Sequence, residues 1–171
     1  MTDRSDALLR RPSSLRTAGV VVSAMLAAAG LTGCGGSGLT VPSYELTTSG
    51  RAHCAAVMAA LPRTVDGKPR RDDTGSAYVA AWGDPAIVLR CGVGRPAGFT
   101  RFSVCQRADG VDWFVPDDII ADQSADVLMT TVGRSPAVDV TVPARYRPTL
   151  APMVDLAAAL KASTSVVTPC Q

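Results

Sequence analysis

The sequence predicts a single α+β domain, a mostly antiparallel sheet of about six strands with two helices packed on one face. Three observations lead there. Apolar residues recur at helical spacing near both ends of the domain, and three pairs of short apolar runs between them are joined by turn-forming residues. A total of 171 residues with 47% apolar content suffices for one core and is too short for two ordinary ones.

From Ser49 to Leu61, Cys54, Val57, Met58 and Leu61 fall at i, i+3, i+4 and i+7, which predicts an amphipathic helix stopped by Pro62. Residues 62–76 are polar and rich in turn formers and read as an exposed loop. Ala77 to Trp82 and Ala86 to Val93 flank Gly83-Asp84-Pro85, a first hairpin with Ile87, Leu89, Cys91 and Val93 on one face. Phe102 to Arg107 and Val111 to Val115 flank Ala108-Asp109-Gly110, where Asp-Gly supplies the positive φ of a tight turn. Val127 to Val132 and Ala137 to Val142 form a third hairpin, with Val138, Val140 and Val142 alternating against Ala137, Asp139 and Thr141. Leu150, Met153, Val154, Ala157 and Leu160 then recur at helical spacing, with Pro148 or Pro152 in the opening turn, where a missing N–H is harmless.

Ahead of the domain, residues 1–16 are polar with four Arg, and residues 17–33 carry no charge, the profile of an export signal. That stretch ends in Leu31-Thr32-Gly33-Cys34, an aliphatic and two small residues before cysteine, which resembles a lipobox. Small side chains let the backbone enter a peptidase site, and the thiol can carry a thioether-linked diacylglyceryl group. Residues 1–33 are thus expected to be a lipoprotein signal peptide, Cys34 the lipidation site, residues 34–48 a flexible tether and residues 49–171 the domain. Two acyl chains anchor stably where one is marginal, since each buried CH₂ contributes about 0.8 kcal/mol. The alternative, an uncleaved signal anchor, has an Ala/Gly-rich stretch at the low edge of the roughly 17 to 25 residues needed to span a bilayer. Arg10-Arg11 invites a twin-arginine reading, but Pro12-Ser13 stands where that motif has bulkier residues.

Removal of residues 1–33 lowers Lys+Arg from 17 to 13 and Asp+Glu from 15 to 13, so the product is near neutral. No basic face for nucleic acid is expected, because such a face must displace counterions from phosphates. The chain holds only two Lys, one Glu and no Asn, a bias that points to a GC-rich genome rather than to a function.

Four cysteines remain after Cys34: Cys54, Cys91, Cys105 and Cys170. An even number in an exported chain favours two disulfides, and spacings of 37, 14 and 65 contain no C-x-x-C pair for zinc. Three connectivities are open. Cys54 with Cys91 and Cys105 with Cys170 is preferred, because Cys54 and Cys91 fall on the apolar faces of a predicted helix and a predicted strand.

No catalytic, metal or cofactor signature is present. His53 is the only histidine, and it points about 100° away from Cys54 on a helix, which argues against a Cys-His nucleophile. Gly92-Val93-Gly94-Arg95-Pro96-Ala97-Gly98 is glycine-rich, but Pro96 stands where a phosphate-binding helix would begin, so a strand end followed by a loop is expected. Asp117, Asp118, Asp122 and Asp126 lack the spacing and central Gly of an EF-hand and read as a helix start or solvated loop. A small envelope hydrolase would need clustered carboxylates or a serine-based dyad. Trp82 and Trp113 read either as core or, with Arg90, as the lining of a ligand or partner surface, with Arg90 and Asp112 on the opposite sheet face.

The stretch Trp82-Gly83-Asp84-Pro85-Ala86-Ile87-Val88-Leu89-Arg90-Cys91-Gly92-Val93 resembles the most recognisable segment of an uncharacterised actinobacterial family of exported, membrane-anchored or lipidated proteins. Asp109-Gly110-Val111-Asp112-Trp113 and Thr131-Val132-Gly133-Arg134-Ser135-Pro136-Ala137-Val138 look like its later segments. The resemblance covers most of residues 40–171 and implies an exported, undivided domain; it supplies no activity. The expectation is an envelope lipoprotein on the outer face of the membrane, non-catalytic, held by lipid on Cys34, with an envelope protein or a small molecule as partner.

Overall fold

The structure, a computed structural model, describes residues 38–170. Its centre is an antiparallel sheet of eight strands in the order β1-β2-β3-β4-β9-β7-β6-β5. These are β1 (Thr64–Val65), β2 (Lys68–Arg71), β3 (Val79–Trp82), β4 (Ile87–Cys91), β5 (Gln106–Ala108), β6 (Val111–Phe114), β7 (Val127–Val132) and β9 (Val138–Val142). Two further short strands, β8 (Arg134–Ser135) and β10 (Ser165–Val166), pair with each other. The three helices are α1 (Thr48–Ala60), α2 (Asp117–Ala121) and α3 (Leu150–Ser163). Two meanders, β1 to β4 and β5 to β9, meet where β4 pairs with β9 through Leu89↔Val140 and Cys91↔Val138.

Five of the six expected strand segments form; of Phe102 to Arg107 only Gln106 and Arg107 enter β5, while residues 102–105 belong to the preceding loop with Phe102 and Val104 exposed. The sheet exceeds six strands because residues 62–76 are not simply a loop. They contain the β1–β2 hairpin, in which Asp66 (φ 49°) and Gly67 (φ 69°) make the turn. Positive φ at both central positions gives the turn the twist of the flanking strands, as at Asp109-Gly110 (φ 44° and 79°). Helix α1 starts where the Thr47 hydroxyl accepts from the Gly50 amide at 3.1 Å, satisfying one of the orphan donors of the first turn.

Period-two alternation decides the two faces of the sheet. Trp82, Ile87, Leu89, Cys91, Val111, Trp113, Val127, Met129, Val138, Val140 and Val142 are buried on the side of α1 and α3, against Val57, Met153, Leu156 and Leu160. Registers place Arg90, Asp139, Thr130, Asp112 and Phe114 on the other face. That second face is not bare. Residues 38–47, expected to be tether, are docked on the domain: the Leu39 amide donates to Asp73 and Val41 to the Thr74 carbonyl, both between β2 and β3, and the Tyr44 hydroxyl donates to Asp139 of that face. Tyr44 and Leu46 are partly buried aromatic and aliphatic side chains, and burying them is what holds this segment down. Cys34 and the expected signal peptide lie outside the described residues. Among the described residues no helix is long and apolar enough to cross a membrane.

Candidate functional site

Strand β4 ends at Cys91, and residues 92–104 run as a loop before β5. Both ends of this loop are tied. Cys91 is bonded to Cys54 on α1 (Cα–Cα 5.7 Å), and Cys105 to Cys170 in the C-terminal tail (Cα–Cα 6.3 Å). This is the connectivity preferred from the apolar faces of helix and strand. Between the ties the loop seats Phe99 edge-on against Phe114 of the second face, ring centroids 5.2 Å apart. Gly92, at φ 90°, lets the chain leave β4 beside α1, since a Cβ there would stand 2.1 Å from the Leu46 side chain.

The loop forms one wall of a cleft of about 920 Å³ at the end of the sheet. The other walls are residues 45–47, the β7–β9 hairpin tip from Thr131 to Ala137, and the tail from Val167 to Cys170. Gly133 carries the tail: its carbonyl accepts from the Val167 amide at 2.8 Å, and a Cβ on it would stand 2.5 Å from the Thr168 carbonyl oxygen. The volume lies within the roughly 300–1,000 Å³ of small-molecule sites.

Three guanidinium groups line the cleft, and they differ in availability. Arg134 is spent on structure, donating to the carbonyls of Gly110 and Leu160 and to the Thr164 hydroxyl. Arg95 and Arg101 are exposed; they lie 5.3 and 4.6 Å from the rings of Phe99 and Phe102, and among the described residues neither pairs with a carboxylate. Glu45 is the only acidic residue of the lining, which contains no imidazole and no amine. The lining thus offers two exposed guanidinium groups, one carboxylate, several hydroxyls and apolar area.

Elsewhere the titratable groups are used for holding the fold. On the second face Arg90 donates two hydrogen bonds to Asp139 (3.2 and 2.9 Å), and its guanidinium lies 4.8 Å from the Tyr44 ring. Burial, and then the hydrogen bond and charge of Asp139, push the Tyr44 hydroxyl up to about 12. Arg107 pairs with Asp112 at 2.6 Å and holds its carboxyl below the ordinary aspartate value.

Trp82 and Trp113 do not line the cleft. Both are fully buried on the helix side of the sheet, Trp82 donating to the Pro62 carbonyl at 3.1 Å. Arg90 and Asp112 do lie on the opposite face, engaged in their ion pairs. The acidic stretch resolves into the first turn of α2 (Asp117, Asp118), a turn closed by Ser124 onto Asp122, and Asp126 accepting from the Ala144 amide. His53 is exposed on α1. Among the described residues no three His, Cys, Asp or Glu side chains converge as a metal site. The residues missed from sequence were Tyr44, Leu46, Phe99 and Arg101, and their only signal was an aromatic, aliphatic or basic residue inside an otherwise featureless segment.

A family model described as a protein of unknown function, DUF3515, matches residues 15–167. The chain belongs to this family. No curated protein and no solved structure matches it. The DUF3515 match takes in the docked segment 38–47, the loop 92–104 and the hairpin tip, so three of the four walls of the cleft fall wholly inside it. The fourth straddles its end: Val167 is the last matched residue, and Cys170 lies beyond.

Proposed function

We propose that this DUF3515 protein is exported, lipidated on Cys34 and held at the outer face of an actinobacterial membrane, where it acts as a non-catalytic binding protein for an envelope component taken into the cleft. The observation that carries this reading is the cleft itself, about 920 Å³, with one wall tied at both ends by disulfides. Disulfides persist in oxidising compartments, which agrees with the uncharged stretch and lipobox ahead of the domain. A wall tied at both ends loses little conformational freedom on binding, and that raises affinity for a given contact area. The alternative of a small-molecule module keeps this cleft and abandons the tryptophan-lined surface.

Purification from the native membrane followed by intact and native mass spectrometry tests both halves. A first residue Cys34 carrying diacylglyceryl, with the mass of two disulfides, supports export and anchoring; an unprocessed N-terminus with free thiols overturns them. For the cleft, Gly94→Trp is the informative variant, because a Cβ at Gly94 meets nothing within 4 Å and the backbone there needs no positive φ. The indole should fill the cleft and abolish co-purification of a bound component without lowering the melting temperature. Retention of that component by Gly94→Trp would move the binding site elsewhere.

A further inference from the structure

We infer that the loop 92–104 and the adjoining tail form a membrane-contacting surface that seats the domain on anionic lipid headgroups, with the mouth of the cleft beside it. The inference rests on the anchoring reading above for where the chain leaves the membrane, and on three observations for the surface.

The first is the exposure of apolar side chains where a stable fold gains nothing from them. Phe102 is 79% exposed, Val104 82% and Val167 60%; the first two flank Ser103, which lines the cleft with Val167. The Cys170 sulfur lies 3.9 Å from the Ser103 carbonyl, so the tail and the loop adjoin here. The second is charge. Residues 92–104 contain Arg95 and Arg101 and no acidic residue, although the expected mature chain is near neutral. Arginine and aromatic side chains together are the composition of a headgroup-level surface, the guanidinium meeting phosphate and the ring reaching the acyl boundary.

The third is where the chain begins. The Leu39 amide and the Val41 amide are held at Asp73 and Thr74, and Tyr44 docks on Asp139 of the second sheet face. The loop crosses that same face, Phe99 on Phe114, while α1 and α3 cover the other. Only residues 34–38 separate a lipid on Cys34 from the docked chain, a reach of roughly 17 Å fully extended. A spacer that short favours the face from which it leaves. The helices then point away from the lipid.

The test is quenching by brominated lipids of the full chain reconstituted into phosphatidylglycerol/phosphatidylcholine vesicles. Trp82 and Trp113 are fully buried, so an indole introduced at the surface reports its own position. Phe102→Trp should lose about half of the added fluorescence or more, while Leu150→Trp, at a site 59% exposed on α3, should lose none. Equal quenching of the two, or none at Phe102→Trp, overturns the proposal. A chain beginning at Gly35, free of both the lipid and the uncharged stretch 17–33, with the intact mass of the full chain recorded alongside, separates this from the anchoring reading. The unlipidated chain should still bind anionic vesicles weakly and in a salt-sensitive way, and the double variant Arg95→Gln/Arg101→Gln should reduce that binding by roughly thirtyfold. If the mass shows no lipid but the vesicle binding and quenching persist, the surface stands and the anchor falls. A lipidated chain with Phe102→Trp unquenched keeps the anchor and loses the surface.

Discussion

Asp139 carries a charge in the middle of a sheet at 1% exposure, and three groups make that tolerable: the two hydrogen bonds from Arg90 and the one from the Tyr44 hydroxyl. Removing one member of such a pair costs more than the pair contributes, because the other charge is left desolvated. Asp139→Ala should therefore lower unfolding stability by about 3 kcal/mol in urea titrations, with Arg90 stranded beside the Tyr44 ring. Tyr44→Phe keeps the ion pair and deletes one charge-assisted bond, for a loss of about 2 kcal/mol. The Tyr44 hydroxyl stands at about 12 in the folded chain, above the tyrosine value of about 10 in an unfolded one. Its contribution is thus fully present below pH 10 and is lost as pH rises through 12, and Tyr44→Phe should remove a step near pH 12 from the absorbance titration at 295 nm. Asp112 has the opposite sign. Its carboxyl is lowered, first by the hydrogen bond from Arg107, so its contribution is present above about pH 3.9 and is lost as pH falls through the folded value. The stability difference between wild type and Asp112→Asn should be open at pH 7 and narrow as pH falls below about 3.9; a difference that does not narrow on acidification would show that Arg107 does not act through the carboxylate charge.

Two turns with positive φ show how the same backbone requirement has different consequences in different elements. A Cβ at Gly67, in the β1–β2 turn, meets nothing within 4 Å, whereas at Gly133 it meets the Thr168 carbonyl and Pro169 Cα at 2.5 and 2.8 Å. Gly67→Ala should cost only the left-handed backbone strain, about 1–2 kcal/mol. Gly133→Ala adds a clash with backbone and should detach β10 from β8, which hydrogen exchange reads as loss of protection at the Val167 amide; protection retained there would mean that the tail gives way without unpairing. The contrast also explains what was legible in the sequence. The two long helices stood out because each buries one face, which imposes a period of 3.6 on its apolar residues, and β3, β4, β6, β7 and β9 stood out as short apolar runs bounded by turn formers, β4 with a clean alternation. The β1–β2 hairpin did not, although Asp66-Gly67 is the same turn as Asp109-Gly110. It sits at the sheet edge, where Lys68, Pro69, Arg70 and Arg71 can occupy a strand without alternating. Segment 38–47 has the sequence of a tether because Tyr44 and Leu46 alone make no periodic pattern. The cleft was illegible for a further reason: its walls come from residues 45–47, 92–104, 131–137 and 167–170, and only the folded sheet brings these together.

At the scale of the whole molecule the two disulfides do different things despite similar loop entropies. Closing separations of 37 and 65 residues restricts the unfolded chain by about 4 kcal/mol in each case, a large share of the roughly 5–15 kcal/mol by which domains are stable. What distinguishes them is their surroundings. Cys54 and Cys91 are fully buried between α1 and the sheet, so Cys54→Ser/Cys91→Ser also leaves hydroxyls in an apolar contact and should unfold at a denaturant midpoint well below that of Cys105→Ser/Cys170→Ser. Cys105 and Cys170 are partly exposed at the rim of the cleft. Breaking that bridge should leave Trp82 and Trp113 packed, with native near-ultraviolet dichroism, while amides of residues 92–104 exchange faster, because the loop then keeps only its Cys91 end. Such a variant would retain the folded sheet and lose the cleft wall, so a fall in binding with unchanged dichroism would place recognition in the tied loop. Binding that survives intact in this variant would instead assign recognition to the walls built on the sheet itself, the hairpin tip and residues 45–47, which neither bridge to Cys170 nor the loop is needed to hold.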